Sequence, residues 1–295
     1  MIKKTILLTG ATGFLGSELL KYWLQKGHQV IILKRTTSSL KRVDKVINRC
    51  KYYDVDLPEW EKVFDNYQID IVVHVAANYG KNGENTSKIV EANTLFPLKL
   101  LDFAIRNGVK EFINTGSSLP RDINAYALSK AHFHDWLVFR KNEIRNVNLA
   151  LEYFYGAGDD NWKFISMVIR KLLNNEQSID FSQGSQKRDF IYISDVISAF
   201  DTVLNNFNYI ESGQTIPVGS GESYTLRSVV ELCKLISGNL STILNFGALP
   251  NRPGEVPELL ADTSQLEKLG WKKKYSLKEG ISEFIKNINK NKYTL

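Results

Sequence analysis

Cysteine is scarce in this sequence, and long apolar runs are absent from it. Cys50 and Cys233 are the only cysteines among 295 residues, and no cluster of histidine or cysteine accompanies them. Neither a disulfide framework nor a zinc site is therefore indicated, and we expect no metal. No run reaches the ~20 apolar residues that cross a bilayer, and the apolar stretch near the N-terminus is too short for a signal sequence. These absences predict a cytoplasmic protein with no membrane association.

Charge of one sign is not concentrated in any segment either. The net charge of +6 comes from scattered lysine and arginine residues, and Lys272–Lys274 lies close to a predicted turn, where a solvated surface is the simpler interpretation. We therefore expect no nucleic-acid partner. With 43% hydrophobic and 24% charged residues, the composition is that of an ordinary globular enzyme, long enough for one large domain and a smaller one.

The sequence does contain a repeated alternation of strand and helix patterns. β-rich runs occur at Thr5–Thr9, Val30–Leu33, Lys51–Asp54, Ile71–His74, Glu111–Thr115 and Asn148–Leu151, and helical patterns at Gly13–Lys26, Trp60–Tyr67, Glu84–Asn107 and Ala125–Asn142. This alternation predicts an α/β fold, with a doubly wound parallel sheet covered by helices on both faces. After Gly156 it loosens, which indicates a smaller α+β domain. We place the domains at residues 1–155 and 156–295, although late segments of such folds often return to the first domain.

A glycine-rich loop follows the first strand and opens the first predicted helix. Glycines there permit a tight turn and let the backbone approach a pyrophosphate, while the helix N-terminus offers N–H groups and a positive dipole end. A plain turn is the alternative, but the position directly after a β-run favours a dinucleotide site. Its predicted contacts are Gly10, Thr12, Gly13, Phe14, Leu15 and Gly16.

The end of the second strand indicates which dinucleotide binds. NAD-binding domains carry an acidic residue there, about 20 residues after the loop, to hold the ribose 2′-hydroxyl. Here Lys34 and Arg35 stand at that place, and two cations would attract a 2′-phosphate. An exposed basic loop is the alternative interpretation. We predict NADP(H) as the cofactor.

Tyr126 and Lys130 form a YxxxK pair. At positions i and i+4 of a helix, both side chains project from one face. A phenol with a pKa of about 10 is a poor acid or base at neutral pH, and a neighbouring ammonium group stabilises its phenolate. Lys130 could also bind the nicotinamide ribose. Such a pair is common by chance, but at this distance after a glycine loop it predicts a catalytic group for carbonyl–alcohol redox chemistry.

The loop Thr9–Gly16 resembles the TGxxGFxG motif of the extended short-chain dehydrogenase/reductase family, also called the NAD-dependent epimerase/dehydratase family. The resemblance runs from about residue 4 to residue 285 and implies a Rossmann fold. It also implies the positions of further cofactor contacts and of the third catalytic group. These are Asp56 and Leu57 at the adenine, Ala76, Ala77 and Thr115 along the dinucleotide, and Ser117 as the catalytic hydroxyl, with Ser118 as the fallback.

Later segments resemble the members of this family that act on sugar nucleotides. The segments beginning at Tyr155, Arg188 and Arg252 match the family's later landmarks. The resemblance implies Arg188 and Arg252 as anchors for a diphosphate, because guanidinium groups bind such anions in a bidentate manner. Ordinary surface arginines are the alternative.

The segment from Ser117 to Tyr126 is shorter than in most members and resembles the CDP-abequose and CDP-paratose synthase branch. That branch comprises NADPH-dependent reductases of CDP-3,6-dideoxy-4-ketohexoses, which implies a nucleotide-sugar substrate and makes Tyr79 and Ser118 substrate contacts. Ser118 and Leu119 stand where 4,6-dehydratases carry an acid pair, so elimination is not expected.

We therefore predict an NADPH-dependent reductase of the C4 ketone in a nucleotide-activated deoxy sugar. A nucleotide-sugar 4-epimerase with tightly held NAD and a non-catalytic dinucleotide sensor stay open as alternatives. The complete Tyr/Lys/Ser group argues against the sensor, and the two cations after the second strand argue against the epimerase. The resemblance also implies a homodimer built on the two long helical patterns, Glu84–Asn107 and Ala125–Asn142. These patterns contain more apolar positions than a helix needs to pack on one face of a sheet, such as Trp136, Leu137 and Phe139.

Overall fold

Strands and helices alternate along the first half of the chain, as the sequence predicts. The structure is a computed structural model that describes residues 3–81, 83–251 and 254–292. Its strands are β1 (Thr5–Thr9), β2 (Gln29–Lys34), β3 (Lys51–Asp54), β4 (Ile71–His74), β5 (Glu111–Ser117), β6 (Arg145–Leu151), β7 (Tyr153–Tyr155), β8 (Ser178–Phe181), β9 (Lys187–Tyr192), β10 (Gln214–Val218), β11 (Ser223–Thr225) and β12 (Ile243–Phe246). Its helices are α1 (Phe14–Gln25), α2 (Val63–Asn66), α3 (Thr86–Val90), α4 (Phe96–Arg106), α5 (Ala125–Phe139), α6 (Phe164–Leu173), α7 (Ile193–Asn205), α8 (Leu226–Ser237), α9 (Ser264–Lys268) and α10 (Leu277–Lys292).

Seven strands form the main sheet, in the order β10-β6-β5-β4-β1-β2-β3. β1 pairs in parallel with β2 and β4, β2 pairs with β3, and β4 pairs with β5. An order that runs 3-2-1-4-5-6 and reverses beside β1 is that of a Rossmann fold. The inner strands are apolar without alternation because both of their faces are covered, and Ile71–Val73 of β4 is fully buried. The predicted α/β fold class is confirmed.

Two of the predicted helices are interrupted in ways that their periodicity does not reveal. The pattern at Glu84–Asn107 contains α3 and α4, separated by a π-helical turn at Glu91–Leu95. Such a turn adds a residue to the helix and often lies at a functional site. The pattern at Trp60–Tyr67 consists of the end of a 3-10 turn, Pro58–Lys62, and the single turn of α2.

The described chain divides into two compact units. The first comprises residues up to Ala150 together with Asp201–Ile216, and the second comprises Leu151–Phe200 together with the chain from Pro217 onward. Arg145 of β6 holds the returning segment in the first unit. Its guanidinium group donates to the backbone carbonyl oxygens of Phe207 at 2.8 Å and Ile210 at 3.2 Å. The returning segment thereby supplies the start of β10 beside β6.

The core of the first unit includes side chains of β5 and α5. Phe112, Phe133 and Leu137 are fully buried there, and the rings of Phe112 and Phe133 meet edge to face with centroids 6.1 Å apart. The prediction that Leu137 belongs to an outer apolar face is wrong. Leu137 lies one helical turn after Phe133 and therefore points into the same core, whereas Trp136 and Phe139 are exposed.

The second unit has α+β character. Its sheets have the orders β11-β9-β7 and β12-β8, and α8 packs against α6 and α10. The Thr225 hydroxyl caps α8 by accepting the backbone N–H of Ser228 at 3.1 Å, and Gly238 ends the helix with a φ of +68°. The buried carboxylate of Asp195 accepts the backbone N–H groups of Lys274 and Tyr275 at 3.1 and 3.0 Å, which fixes the chain before α10.

Within the described ranges, no helix combines the length and apolar character that crossing a membrane requires. The His, Cys, Asp and Glu side chains of these same ranges do not converge in groups of three or more that could hold a metal ion.

Candidate active site

The glycine-rich loop lies against the loop that follows β4. Gly10 has a φ of +70°, and a Cβ at this position would lie 2.6 Å from the backbone nitrogen of Ala76. A Cβ on Gly16 would overlap the carbonyl oxygen of Gly10. Both glycines are therefore required by the packing of the chain on itself. This packing joins the carboxyl ends of β1 and β4, where the strand order reverses and folds of this kind bind their ligands.

Gly13 leaves the N-terminus of α1 open. Its backbone is extended, and no side chain caps the helix. A Cβ at Gly13 would contact the carbonyl oxygen of Gly10 at 3.3 Å, and no other described atom outside its own neighbours lies within 4 Å of it. Phe14 and Leu15 have buried side chains, so they would offer a ligand their backbone N–H groups, whereas Thr12 is partly exposed. This uncapped helix end fits the pyrophosphate of a dinucleotide.

Thr9 and His74 form a buried polar pair beneath this loop. The Thr9 hydroxyl accepts the backbone N–H groups of Val75 and Ala76, both at 3.1 Å. Its own proton therefore goes to Nδ1 of His74, 2.8 Å away, which leaves the imidazole proton on Nε2. Burial is the main cause that lowers the pKa of His74 well below its ordinary value, and the nearby charge of Lys130 lowers it further. His74 is a neutral group that orients the Thr9 hydroxyl, and this hydroxyl holds the loop after β4.

The last residue of β2 and the residue after it are the two predicted cations, and among the described residues only one of the two has a counter-ion. Lys34 forms a salt bridge with Asp54, and its ammonium group lies 4.6 Å from the ring centroid of Tyr52. Arg35 is exposed and forms no ion pair with any of the described residues. Lys34 is thus already neutralised by a carboxylate on the neighbouring strand.

Asp56 and Leu57, predicted at the adenine, follow β3 beside this basic segment. The Asp56 carboxylate accepts the backbone N–H of Thr36 at 2.9 Å and its hydroxyl at 2.5 Å. These hydrogen bonds lower the pKa of Asp56. Leu57 is exposed. The two residues lie next to each other in the first unit, with Asp56 bracing the segment that holds Arg35.

Tyr126 and Lys130 lie on the first turns of α5. The side-chain oxygen of Asn124 accepts the backbone N–H of Ala127 at 2.8 Å and so fixes where the helix begins. Lys130 is buried, and its ammonium nitrogen has no hydrogen-bond partner among the described residues. Burial lowers the pKa of Lys130 to about 8. A buried amine without a partner is costly, and it fits a group that a bound ligand completes.

Three hydroxyl groups meet at Tyr126. Its phenol lies beside the hydroxyl of Ser117, at the end of β5, and beside that of Tyr79, in the loop after β4. The rings of Tyr79 and Tyr126 are stacked, with centroids 4.8 Å apart and an angle of 26° between their planes. Burial raises the pKa of Tyr126 well above its ordinary value, the neighbouring phenol of Tyr79 raises it further, and the neighbouring hydroxyl of Ser117 lowers it. Tyr126 is a protonated phenol at neutral pH.

The end of β5 brings Ser117 to this position. A Cβ on Gly116 would lie 2.5 Å from the side-chain oxygen of Asn148, so only glycine fits before Ser117. Ser117 accepts the backbone N–H of Leu119 at 3.2 Å. Thr115 is buried, and its hydroxyl has no partner within the described chain. Ser118 is partly exposed, and no described hydrogen bond connects it with Tyr126.

Asn93, in the π-helical turn, connects the loop that contains Tyr79 with the helix that contains Tyr126. Its amide exchanges two hydrogen bonds with the backbone of Asn78, at 2.7 and 2.8 Å, and donates a third to the hydroxyl of Ser129 at 3.0 Å. Asn93 was not among the predicted site residues. A polar residue inside an apolar helical pattern was the available signal, but periodicity alone does not indicate what such a residue contacts.

Arg188, the predicted anion anchor in the second unit, is occupied by the protein itself. Its guanidinium group donates to a carboxylate oxygen of Glu255 at 3.0 Å and to the backbone carbonyl oxygens of Lys187 and Val256 at 2.7 and 2.8 Å. Its role toward a diphosphate stays a prediction. Arg252, the other predicted anchor, lies outside the described residues.

Comparison with known proteins places this geometry in a family. Residues 6–219 match the family model of the NAD dependent epimerase/dehydratase family. The chain belongs to this family. The CDP-abequose synthase of Salmonella muenchen is 34% identical over 294 residues, which cover 96% of this chain and 98% of that one. The GDP-L-colitose synthase of Yersinia pseudotuberculosis is 26% identical and covers 94% and 96%.

Solved structures of the epimerase/dehydratase family share the fold. The UDP-glucose 4-epimerase of Thermotoga maritima with UDP-glucose superposes with a TM-score of 0.83 at 22% identity, over 97% of this chain and 99% of that one. The UDP-glucose 4-epimerase of Thermus thermophilus in complex with NAD has the same TM-score, identity and coverage. At this identity the likeness shows the fold alone.

Membership of the epimerase/dehydratase family confirms the predicted family and the predicted class of enzyme. The chain is an NAD(P)-dependent oxidoreductase of the extended short-chain dehydrogenase type. Within the first unit, the structure brings Ser117, Tyr126 and Tyr79 into contact and puts Lys130 one helical turn after Tyr126. The roles of these residues are taken up below as proposals.

Proposed function

We propose that this protein reduces the C4 ketone of a nucleotide-activated deoxy sugar and that NADPH is the reductant. The observation that carries the proposal is the placement of the Ser117 hydroxyl beside the phenol of Tyr126, with the buried amine of Lys130 one turn along the same helix. A ketone oxygen that approached these two hydroxyls could accept hydrogen bonds from both. The CDP-abequose and GDP-L-colitose synthases among the relatives support a deoxy-sugar nucleotide as the substrate.

Each of the three groups has its own task in this proposal. Tyr126, whose pKa is raised chiefly by burial, donates a proton to the alkoxide that develops at C4. Ser117 hydrogen-bonds the carbonyl oxygen and holds it against Tyr126. Lys130 binds the ribose of the dinucleotide and stabilises the phenolate that Tyr126 leaves behind. The bound dinucleotide supplies the hydride.

The residues that follow Ser117 favour plain carbonyl reduction over elimination. Expelling a hydroxyl group from the sugar requires a general acid and a general base next to the catalytic hydroxyl. Ser118 and Leu119 occupy those positions, and neither can serve as a carboxylate acid or base. We therefore infer a reaction in which the ketone is reduced and no bond to a leaving group breaks.

The preference for NADPH over NADH rests on Arg35 in this proposal. Lys34 already has Asp54 as its counter-ion, so its charge is less available to a 2′-phosphate. Arg35 is exposed beside it, and a guanidinium group binds phosphate in a bidentate manner. We propose that Arg35 provides most of the discrimination.

A 4-epimerase is the second candidate, and one specific observation favours it. Asp54 supplies a carboxylate at the end of β3, beside the end of β2 where NAD-binding domains hold the ribose 2′-hydroxyl. A relative described as a putative UDP-glucose 4-epimerase, from Methanocaldococcus jannaschii, is 26% identical over 98% of this chain and 100% of that one. An epimerase would use the same three groups but return the electrons to the sugar, and would consume no cofactor.

A dinucleotide sensor without catalysis is the remaining alternative. Its weakness is the burial of Lys130 without a hydrogen-bond partner in the described chain. Burying an amine without a hydrogen-bond partner destabilises the folded protein. A protein that only binds a dinucleotide has no need of a buried amine next to Tyr126.

The test is cofactor consumption with a panel of ketone substrates. NADPH oxidation is followed with CDP-, dTDP-, GDP- and UDP-linked 4-keto deoxy sugars, with Tyr126→Phe as the matched control. Oxidation of one NADPH per sugar reduced, lost in the control, is the expected result. Interconversion of C4 epimers without net oxidation would replace the reductase with the epimerase, and dinucleotide binding without either reaction would leave the sensor.

A further inference from the structure

The phenol of Tyr126 is in contact with a second phenol that the reductase mechanism above does not use. Tyr79 stacks on it with ring centroids 4.8 Å apart and rings inclined by 26°, which brings the two phenol groups side by side. Ser117 contacts the same phenol oxygen from β5. The result is a row of three hydroxyls in which Tyr126 is the middle member.

The position of Tyr79 is set by its neighbours in the chain. The backbone of Asn78 is held on both its N–H and its carbonyl oxygen by Asn93, at 2.7 and 2.8 Å. The backbone N–H of Gly80 is held by the side-chain oxygen of Asn78 at 2.9 Å. Gly80 has a φ of +68°, and a Cβ there would lie 2.7 Å from a methyl group of Ile89. The residues on either side of Tyr79 are thus held in place, and the stacked arrangement is built into the fold.

Tyr79 also differs from the other neighbours of Tyr126 in its access to water. Its side chain is 37% exposed, whereas Lys130 is buried on the same helix as Tyr126 and the buried His74 lies near Lys130. Ser117 is only partly exposed and already accepts a backbone N–H. Of these groups, Tyr79 is the one that can exchange protons both with Tyr126 and with solvent.

We propose that Tyr79 is a second catalytic residue, which returns a proton from solvent to Tyr126 after each ketone reduction. The inference rests on the reductase function proposed above. In each turnover C4 would gain a C–H bond from the hydride of NADPH, which would lose that hydrogen and become NADP⁺. The carbonyl π bond breaks, and its oxygen takes the proton of the Tyr126 hydroxyl, whose O–H bond breaks. The O–H bond of Tyr79 then breaks as its proton passes to the Tyr126 phenolate, and water supplies a new proton to Tyr79. One proton from solvent is consumed for each ketone reduced.

This role differs measurably from that of a residue which only contacts the sugar. Tyr126 is protonated before the first turnover, so a relay is not needed until the second. A sugar contact is needed in every turnover, including the first, and its loss would raise KM. The first turnover and the steady state therefore respond differently in the two cases.

The experiment compares single-turnover and steady-state NADPH oxidation in Tyr79→Phe, which keeps the ring and removes the hydroxyl. We expect a first turnover within about twofold of wild type and a steady-state rate that is lower by roughly tenfold or more. Imidazole added to the buffer, as a small proton carrier, should restore part of that rate. Tyr209→Phe, which changes an exposed tyrosine of the same unit, should behave as wild type. A first turnover slowed as much as the steady state, or a steady-state rate left unchanged, would overturn the relay.

A second measurement separates failure of the relay from failure of the reductase proposal. The pKa of Tyr126 can be followed without substrate by NMR of protein labelled with 13C at the tyrosine ring, with Tyr126→Phe to assign the signal. Because the neighbouring phenol of Tyr79 raises the pKa of Tyr126, Tyr79→Phe should lower it. An unchanged pKa of Tyr126 in Tyr79→Phe would overturn the relay, whether or not the wild-type protein reduces a ketone. A lowered pKa of Tyr126 together with an inactive wild-type protein would mean that the proposed reaction or substrate is wrong.

Discussion

Lys34 and Asp54 form an ion pair across two neighbouring parallel strands. The side chain of Lys34 is only 7% exposed, and it also lies over the ring of Tyr52. Removing one partner would leave the other charge uncompensated in a largely buried place, which destabilises a protein more than the pair itself stabilises it. Lys34 is therefore part of the packing of the sheet, and Arg35 is the neighbouring cation that projects to solvent.

Arg35→Ala should weaken NADPH binding by about 1.5–3 kcal/mol, because hydrogen bonds to a charged phosphate are lost. NADH binding should change little, since NADH has no 2′-phosphate. Dissociation constants for both cofactors, measured by quenching of protein fluorescence, check this. Lys41→Ala, which removes an exposed cation of the same segment, is the matched control. Equal affinities of wild type for the two cofactors would contradict the prediction.

Tyr126→Phe should lower the rate of ketone reduction by about two to four powers of ten and leave NADPH affinity almost unchanged. The phenol acts only when the alkoxide needs a proton, so its loss falls on turnover. Steady-state kinetics and cofactor titration of each variant measure both effects. Ser117→Ala should lower turnover more than Ser118→Ala, because Ser117 is the serine that lies beside the phenol of Tyr126. The reverse order would assign the catalytic hydroxyl to Ser118.

Lys130 should make the stability of the protein rise with pH. Its pKa is lowered by burial from 10.5 to about 8, so between these values the unfolded chain binds a proton that the folded protein does not. The free energy of unfolding should therefore increase across this window, by about 2–3 kcal/mol relative to Lys130→Met. Urea unfolding of both proteins at several pH values in the window checks it. The comparison with the variant cancels the opposite trend from Tyr126, whose raised pKa makes stability fall above about pH 10. A constant difference between the two proteins would contradict the prediction.

Trp136 and Phe139 should form part of a homodimer interface. They are 42% and 73% exposed on α5, and their rings meet edge to face with centroids 5.8 Å apart. Large exposed aromatic side chains of this kind are typical of subunit contacts. The double variant Trp136→Ser/Phe139→Ser should sediment as a monomer at micromolar concentrations at which the wild type is a dimer. Leu240→Ser, at an exposed position of the second unit, should leave the dimer intact, and a monomeric wild type would refute the prediction.

The parts of the candidate site that depend on neighbouring residues in the chain could be located from the sequence. The glycine loop and the YxxxK pair lie where strand and helix patterns place them, because a turn geometry or an i, i+4 spacing is a local property. Ser117 and Tyr126 are only nine positions apart in the sequence (126 − 117), and the family resemblance implies that both belong to the catalytic group. Asn93 was missed because its partners, Asn78 and Ser129, come from different loops and helices.

The sequence by itself determined the alternation of strands and helices in the first half of the chain and the fold class, because hydrophobic periodicity and turn-forming glycines act over a few residues. Only the tertiary structure decided which charges remain available and which face of a helix is covered. Lys34 is neutralised by Asp54 from the next strand, Arg188 by Glu255, and Leu137 is turned into the core. Each of these outcomes depends on a partner distant in sequence. Electrostatic and packing energies are set by distance in space, and a linear pattern does not contain that distance.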